Sequence, residues 1–400
     1  MSFQFPILII ATLLGALYMA LRFRRLRLSI PLGAGVGAVG GIVGSLLFML
    51  PLNYCMFDPE RDLIDAVFGV ILIALGMAII LIPSALMIGS AVERRRNPNS
   101  ESAGGARQGQ FRGLVAPFML LLPTLIILAL FLYYPSLETF RLSTLLTRLG
   151  APRSAFVCVD NFTSLASNTV YLNAFATTLF LSVAIVALSL ALGLLVATAV
   201  FQPIKGASIY RTLLVWPYAI SPAVAGVIFL LLFNPTGGII NYFLNNTIGI
   251  SIPWLNNPSA APWVVVIASV WKILGYNILF YLAGLQNIGR DLTESAAIDG
   301  ANAIKRFYYI TLPLLSPITF FLLITNTTFA FFDTFGTIDY LTGGGPLRAT
   351  TTLMYNIYEV GVTNGDLGKA AAQSIVLFAL VIGFTILQFR TAGQRVTYGA

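Results

Sequence analysis

Hydrophobic positions in this chain gather in long runs separated by short polar breaks. The runs are Phe5–Leu21, Ser29–Leu52, Ala66–Ser90, Leu114–Tyr134, Ala174–Phe201, Leu213–Phe233, Trp263–Leu285, Ile318–Asp333 and Ala370–Phe389. Crossing about 30 Å of hydrocarbon takes roughly 20 helical residues, so each run predicts a transmembrane helix. Polar residues interrupt the eighth run, which suits a helix facing protein or water more than lipid. Pro217 and Pro222 stand in the sixth run and predict a kink that frees backbone carbonyls toward a cavity. The second run carries Gly33, Gly35, Gly37, Gly40, Gly41 and Gly44, at spacings that allow close helix packing in lipid.

One polar stretch, Asn97–Gln110, is rich in Ser, Gly and Asn and resembles neither neighbour. It predicts a linker. The expected organisation is a three-span membrane extension over residues 1–96, a linker over 97–112 and a six-span core over 113–400.

Composition agrees with an all-α integral membrane protein. The chain is 58% hydrophobic, only 10% charged, and has a mean hydropathy of +0.87. Soluble domains carry about 25% charged residues. The net charge of +8 comes from basic residues in short loops beside the apolar runs, a membrane-orienting bias rather than a polyanion site. Arg22, Arg24, Arg25 and Arg27 follow the first run, the reverse of a signal peptide, so that run is expected to be retained. With the loop 291–313 inside and nine spans, sixteen of the 23 lysines and arginines fall inside and six outside, with Lys272 in a span. The two cysteines, Cys55 and Cys158, form no metal or redox spacing, and the chain has no histidine. No enzyme constellation emerges.

The segment Asp291–Pro313, DLTESAAIDGANAIKRFYYITLP, is the one well-charged internal stretch. Asp291 can cap a helix and Glu294 can complete a capping box. Ala296, Ala297 and Ala301 make a thin helical face, Gly300 allows a turn between two short helices, and Pro313 suits the start of the next span. Such a knob can enter a groove on a partner. The pattern Glu294-Ser295-Ala296, three residues, Gly300, nine residues and Ile310-Thr311-Leu312-Pro313 resembles the EAA loop of ABC-importer permeases in its full spacing. Only Ser295 departs from the usual alanine. The resemblance implies that Glu294, Ser295, Ala296, Ala297, Asp299, Gly300, Ile310, Leu312 and Pro313 couple this chain to an ATPase.

From about Gly113 onward the chain is similar to the sugar-type, maltose-permease-like class, nearest to the permease subunits of sn-glycerol-3-phosphate importers. The match rests on Trp216-Pro217-Tyr218-Ala219, Ser221-Pro222-Ala223-Val224-Ala225, Phe233-Asn234-Pro235, Ser269-Val270-Trp271-Lys272 and Tyr276-Asn277. It continues through Ala330–Phe335, Gly343-Gly344-Gly345-Pro346 and Ala349–Leu353. The first 110 residues lie outside it. The resemblance implies a type I permease core in which two permease subunits form the pathway. Two ATPase subunits bind the EAA loops, an extracytoplasmic binding protein delivers solute, and the location is the bacterial inner membrane. The chain carries no GxxxxGK[ST] loop, so no cofactor is expected on it, and ATP with magnesium belongs to partner subunits. An ion-coupled secondary transporter also shows many spans and few buried charges, but it predicts internal repeats and no coupling loop. A membrane enzyme is disfavoured by the missing histidines and clustered acids.

Lys272 and Asp333 are the ionisable residues placed deepest in the core spans. Charges there are costly, on the order of 3 kcal/mol or more, and face a cavity or a partner. They line the solute pathway, or they pair with each other or with the sister permease. Around them Trp271, Tyr276, Asn277, Asn326, Phe332 and Thr334 combine rings with amides and hydroxyls, as a polyol or sugar requires. Plain packing is the competing account of each ring. The resemblance implies that Gly343, Gly344, Gly345 and Pro346 contact the binding protein or reach toward the pathway; the residues alone predict only a tight turn. The resemblance points to glycerol-3-phosphate as cargo, with disaccharides and small glycosides such as glucosylglycerol close by. A dianionic phosphate calls for clustered cations, whereas Lys272 stands alone and Asp333 opposes an anion. That balance favours a neutral polyol-sugar.

Overall fold

A computed structural model describes residues 4–25, 30–52, 81–82, 115–151, 154–201 and 206–391. The expected third span, apart from 81–82, and the linker 97–112 lie outside these residues. The chain divides into two compact units, 1–161 and 162–400.

In the first unit, α1 (Gln4–Arg25) packs on α2 (Ile30–Leu52) with their backbones almost touching. A methyl group on Gly15 would run into the carbonyl of Gly37, and one on Gly37 into that of Gly15. Gly41 closes on Ala11, and Gly33 on Met19 and Phe23. Three glycines of the α2 stripe thus serve close packing, while Gly35 faces open space. α3 (Leu120–Ser143) is an apolar span followed by a two-residue hairpin, β1 (Leu145–Leu146) against β2 (Ala155–Phe156). Asn161 clamps this turn by donating from Nδ2 to the carbonyls of Ser143 (2.8 Å) and Leu145 (3.1 Å). Cys158 is engaged in a disulfide, which suits the outer, oxidising side to which the basic-residue bias assigns this loop. Spacing alone missed it, and Cys55 lies outside the described residues.

In the second unit, α4 (Asp160–Ser167) leads into the long span α5 (Thr169–Phe201), whose start is capped by Asn168 Oδ1. The sixth apolar run does more than kink. Its helix breaks at Ile220–Ser221 into Ile209–Ala219 (α6) and Pro222–Leu232 (α7), bent by 101°. Pro217 tightens the first piece into a narrow turn, and Ser221 Oγ accepts the amide of Val224 to start the second. After the short α8 (Ile239–Ile248) comes α9 (Ala261–Gln286), the most enclosed span, with 61% of its apolar window buried. α10 (Arg290–Ile298), α11 (Ala303–Arg306), α12 (Ser316–Leu341), α13 (Leu353–Tyr358) and α14 (Leu367–Thr391) complete the unit. Among the described residues, five helices and the one broken pair are long and apolar enough to cross a membrane.

α9 packs against α5 through two apolar clusters. One joins Leu181, Ile185 and Val186 to Val264–Val266 and Ile273, with Phe229, Phe329 and Ile338. The other joins Ala197 to Ile278, Tyr281, Leu285, Leu315 and Leu322. Between them lies a polar bolt. Asn277 on α9 and Asn326 on α12, both fully buried, exchange two hydrogen bonds of 2.8 and 3.1 Å. Ser189 on α5 donates to the same Asn326 oxygen at 3.1 Å. Gly193 makes room for Asn277, since a Cβ there would sit 2.7 Å from the asparagine Cβ. A bilayer offers these groups no alternative partner. Asn326→Leu is expected to orphan the Asn277 amide, leaving Ser189 its bond to the Val186 carbonyl (3.2 Å), and to cost about 1–3 kcal/mol. Thermal unfolding of the purified assembly checks this; an unchanged midpoint would deny the bolt its role.

Candidate functional site

The loop between α9 and α12 is built as the residues dictate, with one difference. α10 begins at Arg290 with Gly289 as its N-cap and no side-chain cap. Asp291 and Glu294 therefore do not form the expected capping box. Asp291 lies in the first turn, where a carboxylate favours the helix dipole. α10 ends at Ile298 with Asp299 as its C-cap, and Gly300 takes φ +83°, a left-handed turn that glycine adopts without penalty. Ala301 N–H returns to the Ala296 carbonyl (2.9 Å) and Gly300 N–H to Ala297 (3.1 Å), closing the helix end. Asn302 Oδ1 caps α11 through Lys305 N–H (2.8 Å), and Arg306 Nη1 reaches the Thr293 carbonyl (3.3 Å), tying the two short helices together. A widened turn at Phe307–Thr311, containing Ile310, passes into Leu312–Leu314, where Pro313 stands at the start of the helical segment. Glu294 and Ser295 are exposed. Ile298 and Tyr309 are 87% and 80% exposed. Sequence reasoning missed these two; neither belongs to the EAA pattern, though apolar residues in a charged loop are a detectable signal.

The eight pathway candidates separate. Lys272 is buried on α9, with Nζ 5.6 Å from the ring centre of Tyr218 and 5.4 Å from that of Phe329. Aromatic faces attract a cation by their quadrupoles and so shelter it at membrane depth. Asp333 is exposed and forms no ion pair with Lys272. Tyr276 stacks on Tyr218 at 5.2 Å and continues a ladder to Phe280 (4.7 Å) and Phe321 (5.0 Å). Trp271 joins a different stack, with Phe229 at 5.4 Å. Asn277 and Asn326 belong to the sealed bolt. Thr334 is buried and donates to the Ala330 carbonyl, and Phe332 packs beside the Leu165–Tyr171–Leu377 cluster. Lys272 and Tyr276 thus come together with Tyr218 and Phe329, which the sequence reading had not assigned. For Tyr218 the signal was the proline pair, because the broken helix is what lays its ring over Lys272; Phe329 sits on α12 and carried no comparable signal. Gly275 permits the Tyr218 approach: a Cβ there would meet the Leu214 carbonyl and Val215 Cα at 2.8 Å.

Gly343 and Gly344 have φ of 55° and 77°, and Gly345-Pro346 completes the turn after α12. Hydroxyls brace it. Thr350 Oγ1 donates to the Gly345 carbonyl (2.7 Å) and Thr351 Oγ1 to that of Gly344 (2.9 Å). Among the described residues no cluster of three or more His, Cys, Asp or Glu could hold a metal.

Apolar spans, one of them broken over the sheltered Lys272, with an exposed knob between two of them, are the architecture of a membrane permease subunit. The chain belongs to the family described as "Binding-protein-dependent transport system inner membrane component", whose profile matches residues 103–392. It is a multi-pass inner-membrane permease. It is 44% identical over 289 residues to the sn-glycerol-3-phosphate transport system permease protein UgpA of Rhizobium meliloti, covering 72% of this chain and 98% of that one. The UgpA of Yersinia enterocolitica is 46% identical over 282 residues, covering 70% and 95%. A crystal structure of a bacterial alginate ABC transporter in complex with an alginate pentasaccharide-bound periplasmic protein shares the fold. Its TM-score is 0.63 at 22% identity, over 71% of this chain and 96% of that one.

Gly275→Val is expected to push the broken helix off α9 and remove Tyr218 from Lys272. Uptake in proteoliposomes should fall at least tenfold while the assembly still purifies intact; wild-type uptake would show that this approach is dispensable.

Proposed function

We propose that the chain forms half of the translocation pathway of an ATP-driven importer for glycerol-3-phosphate, with an extracytoplasmic binding protein supplying the solute. A second permease subunit completes the pathway, and two ATPase subunits carry ATP and magnesium. The observation that carries the cargo reading is Lys272, a buried cation held by two rings at the break of a span, in a chain whose relatives are named for sn-glycerol-3-phosphate. A cation placed there can hold an anionic headgroup, and the Tyr218–Tyr276 stack can follow a carbon backbone.

A neutral glycoside is the second reading. It is favoured by exposed Asp333 in a neighbouring span, whose negative charge opposes a dianion. The 291–313 loop supports ATPase coupling through exposed Glu294, the Gly300 turn and the apolar Ile298 and Tyr309, which suit a helix-in-groove contact.

ATP hydrolysis by the reconstituted assembly with its binding protein separates the cargoes. Stimulation by glycerol-3-phosphate is expected, and stimulation by glucosylglycerol alone would replace the cargo and keep the importer. Lys272→Ala should weaken uptake of the phosphate at least tenfold and spare a neutral glycoside; equal effects on both would remove Lys272 from anion recognition. Glu294→Lys should uncouple hydrolysis from transport, and intact coupled uptake would refute the loop's role.

A further inference from the structure

The hairpin of α1 and α2 lies outside residues 103–392, which match the family, and its seam uses only one face of α1. Ala11, Gly15, Met19 and Phe23, each about one turn after the last, close on α2. With 3.6 residues per turn, Ile10, Leu14, Leu17, Leu21, Arg24 and Arg25 fall within about 100° of arc on the opposite side. The four apolar residues are each more than half exposed, and both arginines are exposed with them. From Ile10 to Arg24 this stripe rises roughly 21 Å, the depth of one leaflet with its headgroups. It runs from apolar to cationic toward the side that the basic-residue bias assigns to the inside.

The cationic end has no counter-charge of its own. Residues 1–52 carry four arginines, Arg22, Arg24, Arg25 and Arg27, and no aspartate or glutamate. Among the described residues Arg22, Arg24 and Arg25 join no ion pair. Arg22 is half-buried beside the seam, with its Nε enclosed and without a hydrogen-bond partner. The carbonyls that end α1 supply about half a negative charge, which favours these cations without neutralising them. Guanidinium forks match the oxygens of a phosphate, and a cation cluster just inside a span attracts anionic lipid.

We propose that this stripe seats one anionic phospholipid of the inner leaflet, a phosphatidylglycerol or a lipid of the same headgroup charge. An acyl chain lies along residues 10–21, and Arg24 and Arg25 hold the phosphodiester. The inference is independent of the cargo and of ATPase coupling, and it gives the extension a ligand. A protein partner fits less well. Protein contacts surround an apolar centre with a polar rim, whereas here the polar groups gather at one end.

The test uses the whole assembly in neutral detergent with two photoreactive probes, a phosphatidylglycerol and a phosphatidylcholine with the same acyl chains. Labelled peptides are located by mass spectrometry. The phosphatidylglycerol probe is expected to label the stripe on α1, and displacing it should take at least tenfold more phosphatidylcholine than phosphatidylglycerol. Arg24→Gln with Arg25→Gln should abolish that preference while the phosphatidylcholine probe still labels the stripe, with Arg22 and Arg27 left to orient the helix. Arg24→Lys with Arg25→Lys keeps the charge without the forks and should retain part of the preference. Equal displacement by the two lipids in the wild type would overturn the proposal and leave the arginines as orienting charges only. An unchanged preference in the glutamine pair would overturn it as well. So would a stripe that neither probe labels, because protein must then cover it.

Discussion

Inside a bilayer a polar group has no water to fall back on, and most of this structure follows from that constraint. The side chains of Asn277, Asn326 and Ser189 satisfy one another across three helices. Several hydroxyls along the spans turn back onto their own helices, as Thr178 does to Ala174, Thr327 to Leu323 and Thr385 to Val381, while those of Ser182 and Ser269 are buried with no hydrogen-bond partner among the described residues. Gln388 spends its amide on the Thr327 hydroxyl. Against this pattern Lys272 stands out, because aromatic faces rather than hydrogen-bond acceptors or a carboxylate shelter it. A charge kept at membrane depth without a structural ion pair is the kind that function retains.

The same constraint explains what the sequence made legible. Runs of about 20 apolar residues revealed the spans, since no other local structure survives in lipid. The two prolines marked the sixth run as irregular. Composition could not show that Ile220 and Ser221 would turn the chain through 101°, because the size of a bend depends on what the second half packs against. The loop 291–313 was legible in its turn at Gly300 and its start at Pro313. It was misread at Asp291, where Gly289 took the cap position.

The candidate pathway was half legible. Every polar residue in a span is a reasonable suspect, but the sequence does not say which suspects satisfy each other. Asn277 and Asn326 lie 49 residues apart, and only their meeting across α9 and α12 shows them to be joinery. Tyr218 was passed over for the converse reason. On its own helix it is one more exposed ring, and it gains meaning only when Gly275 lets the broken span lie against α9.

The backbone-to-backbone seam between α1 and α2 bears on how the protein is made. Both helices are complete by residue 52, and their contact needs nothing that is synthesised later. At roughly 5–20 residues per second, the remaining chain takes on the order of 20 to 70 seconds to emerge. Through that interval the hairpin can already be seated in the bilayer as a finished unit. Every later helix emerges after this seam has had time to close.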